Sequence, residues 1–189
     1  MPTAQTPNAR EQRLRRIVEE TEREILAYAL RRVKRREDAA DVVAETYLVA
    51  WRRIDQIPEG GAARLWLFGV ARRQLANMRR GDARRLNLSE RLKDGLIVAM
   101  PPRDESPGDG DAEVLAALSR LSEEDREILT LFAWDGLRPA EIATVMGLHG
   151  PTARSRLHRA KERLKKALND SGASAAMALP PRTNPQEDT

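Results

Sequence analysis

The sequence contains no cysteine and few aromatic residues. Without cysteine, the 189-residue chain can form no disulfide, no cysteine-based zinc site and no cysteine nucleophile. Its only histidines, His149 and His158, are too few to supply the ligands of a typical zinc site, so no metal is expected. Because aromatic residues make up 4% of the chain, the core must be built mainly from aliphatic side chains. This composition favours helices.

Long apolar runs and enzyme motifs are also missing. The longest apolar stretches, residues 65–70 and 96–100, are far shorter than the ~20 residues that span a bilayer. Residues 1–10 lack the apolar centre of a signal peptide, so a soluble cytoplasmic protein is expected. No Gly-rich phosphate loop, metal-ligand cluster or nucleophile–base spacing occurs. An enzyme is therefore disfavoured, and neither a cofactor nor a small-molecule substrate is expected.

Charge is present but unevenly placed, although the net charge is only +4. Residues 62–93 hold nine basic residues against two acidic ones, and residues 151–168 hold seven against one. Residues 99–125, between these segments, hold two basic residues against eight acidic ones. Two basic segments around an acidic one indicate two separate contacts with a polyanion.

Apolar residues recur at three- and four-residue steps, which predicts an all-α protein of two small helical domains. The first domain is predicted over residues 10–94 and follows a disordered N-terminus, residues 1–9. Its second helix carries a predicted buried stripe of Ala40, Val43, Tyr47, Ala50 and Ile54. The predicted helices of this domain cover residues 10–35, 37–54, 63–80 and, as a short fourth helix after Gly81, 82–94.

A flexible linker is predicted over residues 95–111, because residues 99–111 combine three prolines, two glycines and several acids. The second domain is predicted over residues 112–169, followed by a disordered tail, 170–189, rich in Ser, Ala and Pro. Gly136 is predicted to stop one helix and Pro139 to open the next. The predicted helices of this domain cover residues 112–121, 123–135, 139–146 and 151–168.

The last two of these helices, joined by a short turn, fit a helix-turn-helix. At about 100° per residue, the apolar residues of the last helix form one narrow face and a wide basic face remains. In such units the N-terminal half of the second helix meets base edges in the major groove. The candidate DNA-contacting residues at that end are Thr152, Arg154, Ser155, Arg156, His158 and Arg159.

The third helix of the first domain has the same division into an apolar and a basic arc. Arg72, Arg73 and Arg80 lie on the basic arc, and Trp66 lies at its edge. An aromatic ring beside arginines suits stacking on a nucleobase, whereas a Trp at a domain boundary also suits a core position. Both interpretations of Trp66 remain open at this point.

Two parts of the chain resemble bacterial sigma factors. Residues 37–51 (EDAADVVAETYLVAW) and 65–72 (LWLFGVAR) resemble sigma region 2. Residues 121–129 (LSEEDREIL), 136–143 (GLRPAEIA) and 155–160 (SRLHRA) look like sigma region 4. Two domains with a short linker match the extracytoplasmic-function (ECF) subfamily of the sigma-70 family. Arg73 stands where the family often has Asn, and Pro151 and Ala153 replace a common Gly and Val.

The resemblance implies a subunit that directs core RNA polymerase to promoter DNA. The last helix would read the minus-thirty-five element and lie near the β flap. The loop at residues 56–64 and the third helix would read and open the minus-ten element. The implied minus-ten residues are Arg64, Trp66, Arg72, Arg73, Asn77 and Arg80. The residues implied to bind the β′ clamp helices are Asp38, Asp41, Glu45 and Trp51.

The resemblance also implies an anti-sigma factor, which would hold the protein inactive, often at the membrane. The alternative is a stand-alone helix-turn-helix regulator that binds duplex DNA without polymerase, as a dimer on paired half-sites. In that alternative the acidic second helix and the Trp-bearing third helix have no special role. The two hypotheses differ in whether core polymerase is required.

Overall fold

The computed structural model describes residues 8–86 and 109–170, and helices are the regular secondary structure within them. The all-α prediction is confirmed, since these residues form no strand. The chain divides into two compact units, Met1–Pro101 and Pro102–Thr189. No helix among the described residues is both long and apolar enough to cross a membrane. The helices are α1 (Ala9–Leu30), α2 (Arg36–Arg52), a 3-10 helix (Ile54–Gln56), α3 (Gly61–Leu86), α4 (Asp109–Ser119), α5 (Glu123–Ala133), α6 (Pro139–Met146) and α7 (Gly150–Asn169).

The first unit packs α1, α2 and α3 around one core. The side chains of Ile25, Tyr28, Ile54 and Phe68 are almost completely buried. The rings of Tyr28 and Phe68 meet edge to face with centroids 5.1 Å apart, an arrangement that favours aromatic pairs. This contact ties α1 to α3 at the centre of the unit.

Helix α1 begins earlier than predicted. Asn8 and Glu11 form a reciprocal capping box, with the Glu11 amide donating to Asn8 Oδ1 at 3.0 Å and the Asn8 amide donating to Glu11 Oε2 at 3.1 Å. The helix therefore starts at Ala9, and the prediction of disorder was wrong for residues 8 and 9. Residues 1–7 lie outside the described residues.

The buried stripe of α2 differs from the predicted one. Three positions of the stripe are shifted by one residue toward the N-terminus. Ala39, Val42 and Thr46 are buried in place of the predicted Ala40, Val43 and Tyr47. Thr46 can be buried because its hydroxyl donates to the Val42 carbonyl at 2.6 Å. The prediction failed because it placed the larger, more apolar Tyr at the centre of the stripe.

Helix α3 does not end near Gly81 but continues to Leu86. A glycine can end a helix by adopting the left-handed conformation, and among the described residues the glycines with positive φ are Gly60, Gly136 and Gly147, not Gly81. Residues 82–86, predicted to start a separate helix, thus belong to α3. The rest of that predicted helix and the linker up to residue 108 lie outside the described residues, as does the tail from residue 171.

In the second unit, α4 begins at Asp109, inside the predicted linker. The side chain of Ser122, which precedes three acidic residues, caps α5 by accepting the Asp125 amide at 3.2 Å. Helix α5 ends at Ala133, and Gly136 follows with φ +67. The chain then turns into α6, where Pro139 occupies the first turn as predicted.

Candidate nucleic-acid interface

The two last helices form a compact helix-turn-helix. Gly147 follows α6 in the left-handed conformation, with φ 65 and ψ 36, so that the chain reverses within three residues. The amide of Leu148 donates to the Ala143 carbonyl at 2.8 Å, which closes the end of α6. The apolar face of α6 that meets its neighbours consists of Ile142, Ala143, Val145 and Met146.

Helix α7 turns the predicted apolar face inward. Ala153, Leu157, Ala160 and Leu168 are buried, while Leu164 and Ala167 are half-buried. The alternation of small and large residues lets α7 pack closely against α5 and α6. The orientation of the helix about its own axis follows from this stripe.

The first half of α7 exposes most of the predicted DNA-contacting residues on one surface. None of them carries negative charge, and the first acidic residue of α7 is Glu162. An exposed surface of hydroxyl, imidazole and guanidinium groups can donate hydrogen bonds to base edges and phosphates. The exposed members of the predicted set are Thr152, Arg154, Ser155, His158 and Arg159.

Arg156 differs from these residues, because it forms an ion pair with Glu124 on α5. Its side chain is 34% exposed. Further along α7, Arg163 Nη1 lies 2.5 Å from Asp125 Oδ2. Two arginines of α7 are therefore held by the acidic first turn of α5. Sequence reasoning missed both partners, although the run of acids at residues 123–125 was visible.

The outward arc of α3 is polar, opposite a buried stripe that includes Leu67, Phe68, Ala71 and Leu75. The structure therefore places the predicted arcs as the helical pattern indicated. Trp66 is half-buried, which is compatible with both of its interpretations. Of the predicted minus-ten residues, the exposed ones are Arg73, Asn77 and Arg80, and the half-buried ones are Arg64, Trp66 and Arg72.

Arg64 lies in the first turns of α3 rather than in a loop. It forms an ion pair with Glu24 of α1, and its guanidinium carbon lies 5.1 Å from the centroid of the Phe68 ring. Only residues 57–60 separate the 3-10 helix from α3, so the loop is shorter than the one predicted over residues 56–64. Gly60, with φ +60, makes this tight turn possible.

Helix α2 presents an acidic surface with an apolar component. Asp41 and Glu45 are exposed, whereas Asp38 Oδ1 accepts from Arg35 Nη2 at 3.0 Å. Trp51 is 36% exposed, and the Arg10 guanidinium lies 5.5 Å from its ring centroid.

Leu48 extends this surface and is 44% exposed, although sequence reasoning did not single it out. The signal that could have identified it is its helical spacing, three residues after Glu45 and seven after Asp41. A leucine beside two carboxylates on an exposed helix face suits contact with another protein.

Both domains match sequence models of one family. The Sigma-70 region 2 model matches residues 17–85, and the Sigma-70, region 4 model matches residues 111–164. The ECF RNA polymerase sigma factor SigL of Mycobacterium tuberculosis is 32% identical over 148 residues, which cover 78% of this chain and 84% of that protein. RNA polymerase sigma-H factor of Pseudomonas aeruginosa is 31% identical over 157 residues, covering 76% and 80%.

A solved structure shows the same relationship. The sigma factor RpoE from Bartonella quintana, in complex with the anti-sigma factor NepR, has a TM-score of 0.64 and 26% identity. The match covers 84% of this chain and 95% of that chain. The chain has a region 2 unit followed by a region 4 unit, and it is 32% identical to an ECF sigma factor over most of its length. It therefore belongs to the sigma-70 family of RNA polymerase sigma factors, in the ECF subfamily.

Proposed function

We propose that this chain binds core RNA polymerase and directs it to promoters, reading the minus-ten element with its first unit and the minus-thirty-five element with its second. The observation that carries the proposal is the exposed surface on the first half of α7, which presents two arginines, two hydroxyls and a histidine without an acid among them. The polymerase performs the chemistry, and this chain contributes binding and strand-opening free energy.

At the minus-thirty-five element, α7 enters the major groove. Arg154 and Arg159 provide guanidinium groups that can bond a guanine edge bidentately. Thr152, Ser155 and His158 add shorter contacts to bases or phosphates. The packing of α7 on α5 and α6 fixes which of its residues face the groove.

At the minus-ten element, the outward arc of α3 meets the separated strands. Arg73, Asn77 and Arg80 are exposed and can reach phosphates, while Arg72 lies closer to the core. Trp66 and Arg64 lie near the N-terminal end of α3, beside the tight turn at Gly60. An unstacked base can stack there on an aromatic or guanidinium plane.

The acidic surface of α2 docks on the clamp helices of the polymerase β′ subunit, and the second unit docks at the β flap. Asp41 and Glu45 supply charge, Leu48 and Trp51 supply apolar area, and Asp38 is held by Arg35 at the start of the helix. Charged groups around apolar anchors are typical of protein interfaces.

An anti-sigma factor controls access to these surfaces. The related sigma factor RpoE has been crystallised in complex with an anti-sigma factor, NepR, which supports a partner of this class. In this proposal the protein acts in the cytoplasm, held at the membrane when its anti-sigma factor is membrane-bound. The expected partners are therefore core polymerase, promoter DNA and an anti-sigma protein.

The test is transcription from a cognate promoter by core polymerase with and without the protein, the promoter being found by mapping transcription start sites after overexpression. We expect initiation that depends on the protein. Size measurements of the protein alone and with core polymerase complete the test. Initiation that does not need it, together with tight duplex binding by a dimer in the absence of polymerase, would instead support the stand-alone regulator.

A further inference from the structure

Arg156 lies at the border of the surface of α7 that is proposed to face DNA, and it has an acidic partner on another helix. Arg156 lies next to the buried stripe, between Ser155, which is exposed, and Leu157, which is buried. Its guanidinium pairs with Glu124 in the first turn of α5, a residue 32 positions away in the chain. The Glu124 side chain is 63% exposed, so its carboxylate is accessible from solvent.

We propose that Glu124 is a positioning residue that withholds Arg156 from DNA. The carboxylate engages the guanidinium group, so Arg156 links α5 to α7 instead of binding a phosphate. This inference rests on the proposed function, since it concerns how α7 reads duplex DNA. It also makes Glu124 a determinant of specificity.

The physical reason is competition between two anions for one cation. Glu124 binds Nη1 of Arg156 and neutralises the guanidinium charge, so a phosphate that approaches Arg156 must either displace the carboxylate or meet a pair with no net charge. Sequence-independent DNA binding therefore loses one phosphate contact. Arg154 and Arg159 do not compete with Glu124 and can contact base edges.

The experiment measures the salt dependence of binding to a fluorescently labelled mixed-sequence DNA duplex. It uses the full-length chain and three variants: Glu124→Gln, Arg156→Ala and the double variant. Glu113→Gln is the control, because it removes the same charge from an exposed residue of the same unit that forms no ion pair with the residues that the structure describes. Circular dichroism of each variant checks that the helices are retained.

We expect Glu124→Gln to bind this duplex more tightly at low salt and to steepen the slope of log K against log salt by about 0.9, the value for one phosphate contact. Over a fourfold rise in salt, its affinity then falls about threefold to fourfold more than that of the wild type. Arg156→Ala, the double variant and Glu113→Gln keep the wild-type slope.

Two results would overturn the proposal. One is a wild-type slope for Glu124→Gln. The other is a slope that becomes shallower by about one phosphate contact in Arg156→Ala, since Arg156 would then already bind DNA. Transcription by the wild-type protein with core polymerase tests the proposed function separately, so either slope result bears on Glu124 alone.

Discussion

Arg126 is the residue whose removal we expect to destabilise the second unit most clearly. Its side chain is 8% exposed and donates to three backbone carbonyls at the end of α4 and the following turn. Nε donates to Leu118 at 3.0 Å, and Nη2 donates to Ser119 at 3.1 Å and to Leu121 at 3.0 Å. Carbonyls at the end of a helix lack intrahelical donors, and Arg126 supplies donors to all three, in addition to the Leu121 amide, which donates to the Leu118 carbonyl at 3.1 Å.

The magnitude follows from which carbonyls water can reach after Arg126→Ala. Ser119 is exposed and Leu121 half-exposed, so their carbonyls regain water, whereas Leu118 is completely buried. The Leu118 carbonyl keeps the Leu121 amide as a donor at 3.1 Å but loses a hydrogen bond to a charged group, which contributes roughly 1.5–3 kcal/mol. Exchanging the other two bonds to Arg126 for bonds to water adds to this loss. We therefore expect a loss of about 3 kcal/mol in the stability of α4 and α5 against local opening.

Hydrogen exchange of the full-length protein, followed by mass spectrometry, resolves this effect by segment. A loss of about 3 kcal/mol accelerates amide exchange in α4 and α5 by roughly 100-fold. Peptides from α1 to α3 serve as the internal control, because they belong to the other unit. Arg126→Lys keeps the charge but only one donor group, and it should fall between the wild type and Arg126→Ala. Wild-type exchange in α4 for Arg126→Ala would refute the reasoning.

Further predictions concern promoter binding and alkaline stability. Arg154→Ala or Arg159→Ala should weaken binding of the holoenzyme to the minus-thirty-five element by about 1–3 kcal/mol, measured as a 5- to 150-fold loss of affinity. Arg72→Ala or Trp66→Ala should impair promoter opening, measured by the permanganate reactivity of unpaired thymines, more than they impair the initial binding of the holoenzyme. Equal defects in both steps for all four variants would contradict this division. Burial raises the pKa of Tyr47 above its usual 10.0, so folding stability should fall as pH rises above 10. Tyr47→Phe should show a smaller loss in alkaline unfolding, and an identical loss would argue against this cause.

Local sequence patterns predicted much of the secondary structure because they depend on neighbours in the chain. The stripe of Ala153, Leu157 and Ala160 determines which side of α7 is buried, since residues three and four apart share a helix face. Pro139 indicated the start of a helix for an equally local reason. Gly81 shows the limit of such signals, because a glycine can stay helical when neighbouring turns continue.

The stripe of α2 could not be predicted to the residue from the sequence. Thr46 is buried because a backbone carbonyl satisfies its hydroxyl, and the Tyr47 hydroxyl reaches Thr21 of α1 at 2.9 Å. Hydropathy favoured the tyrosine, whereas packing selected the smaller side chain. Only the position of α1 against α2 decided between them.

The sequence alone determined that the protein is helical and that its last helix presents a basic face beside a short turn, because charge and apolar spacing are properties of the chain itself. The tertiary structure decided which arginines of the candidate interface are available. Arg156 and Arg64 meet Glu124 and Glu24, partners 32 and 40 residues away, and no local pattern brings them together. Packing of one helix on another creates these pairs, and it leaves Arg154 exposed.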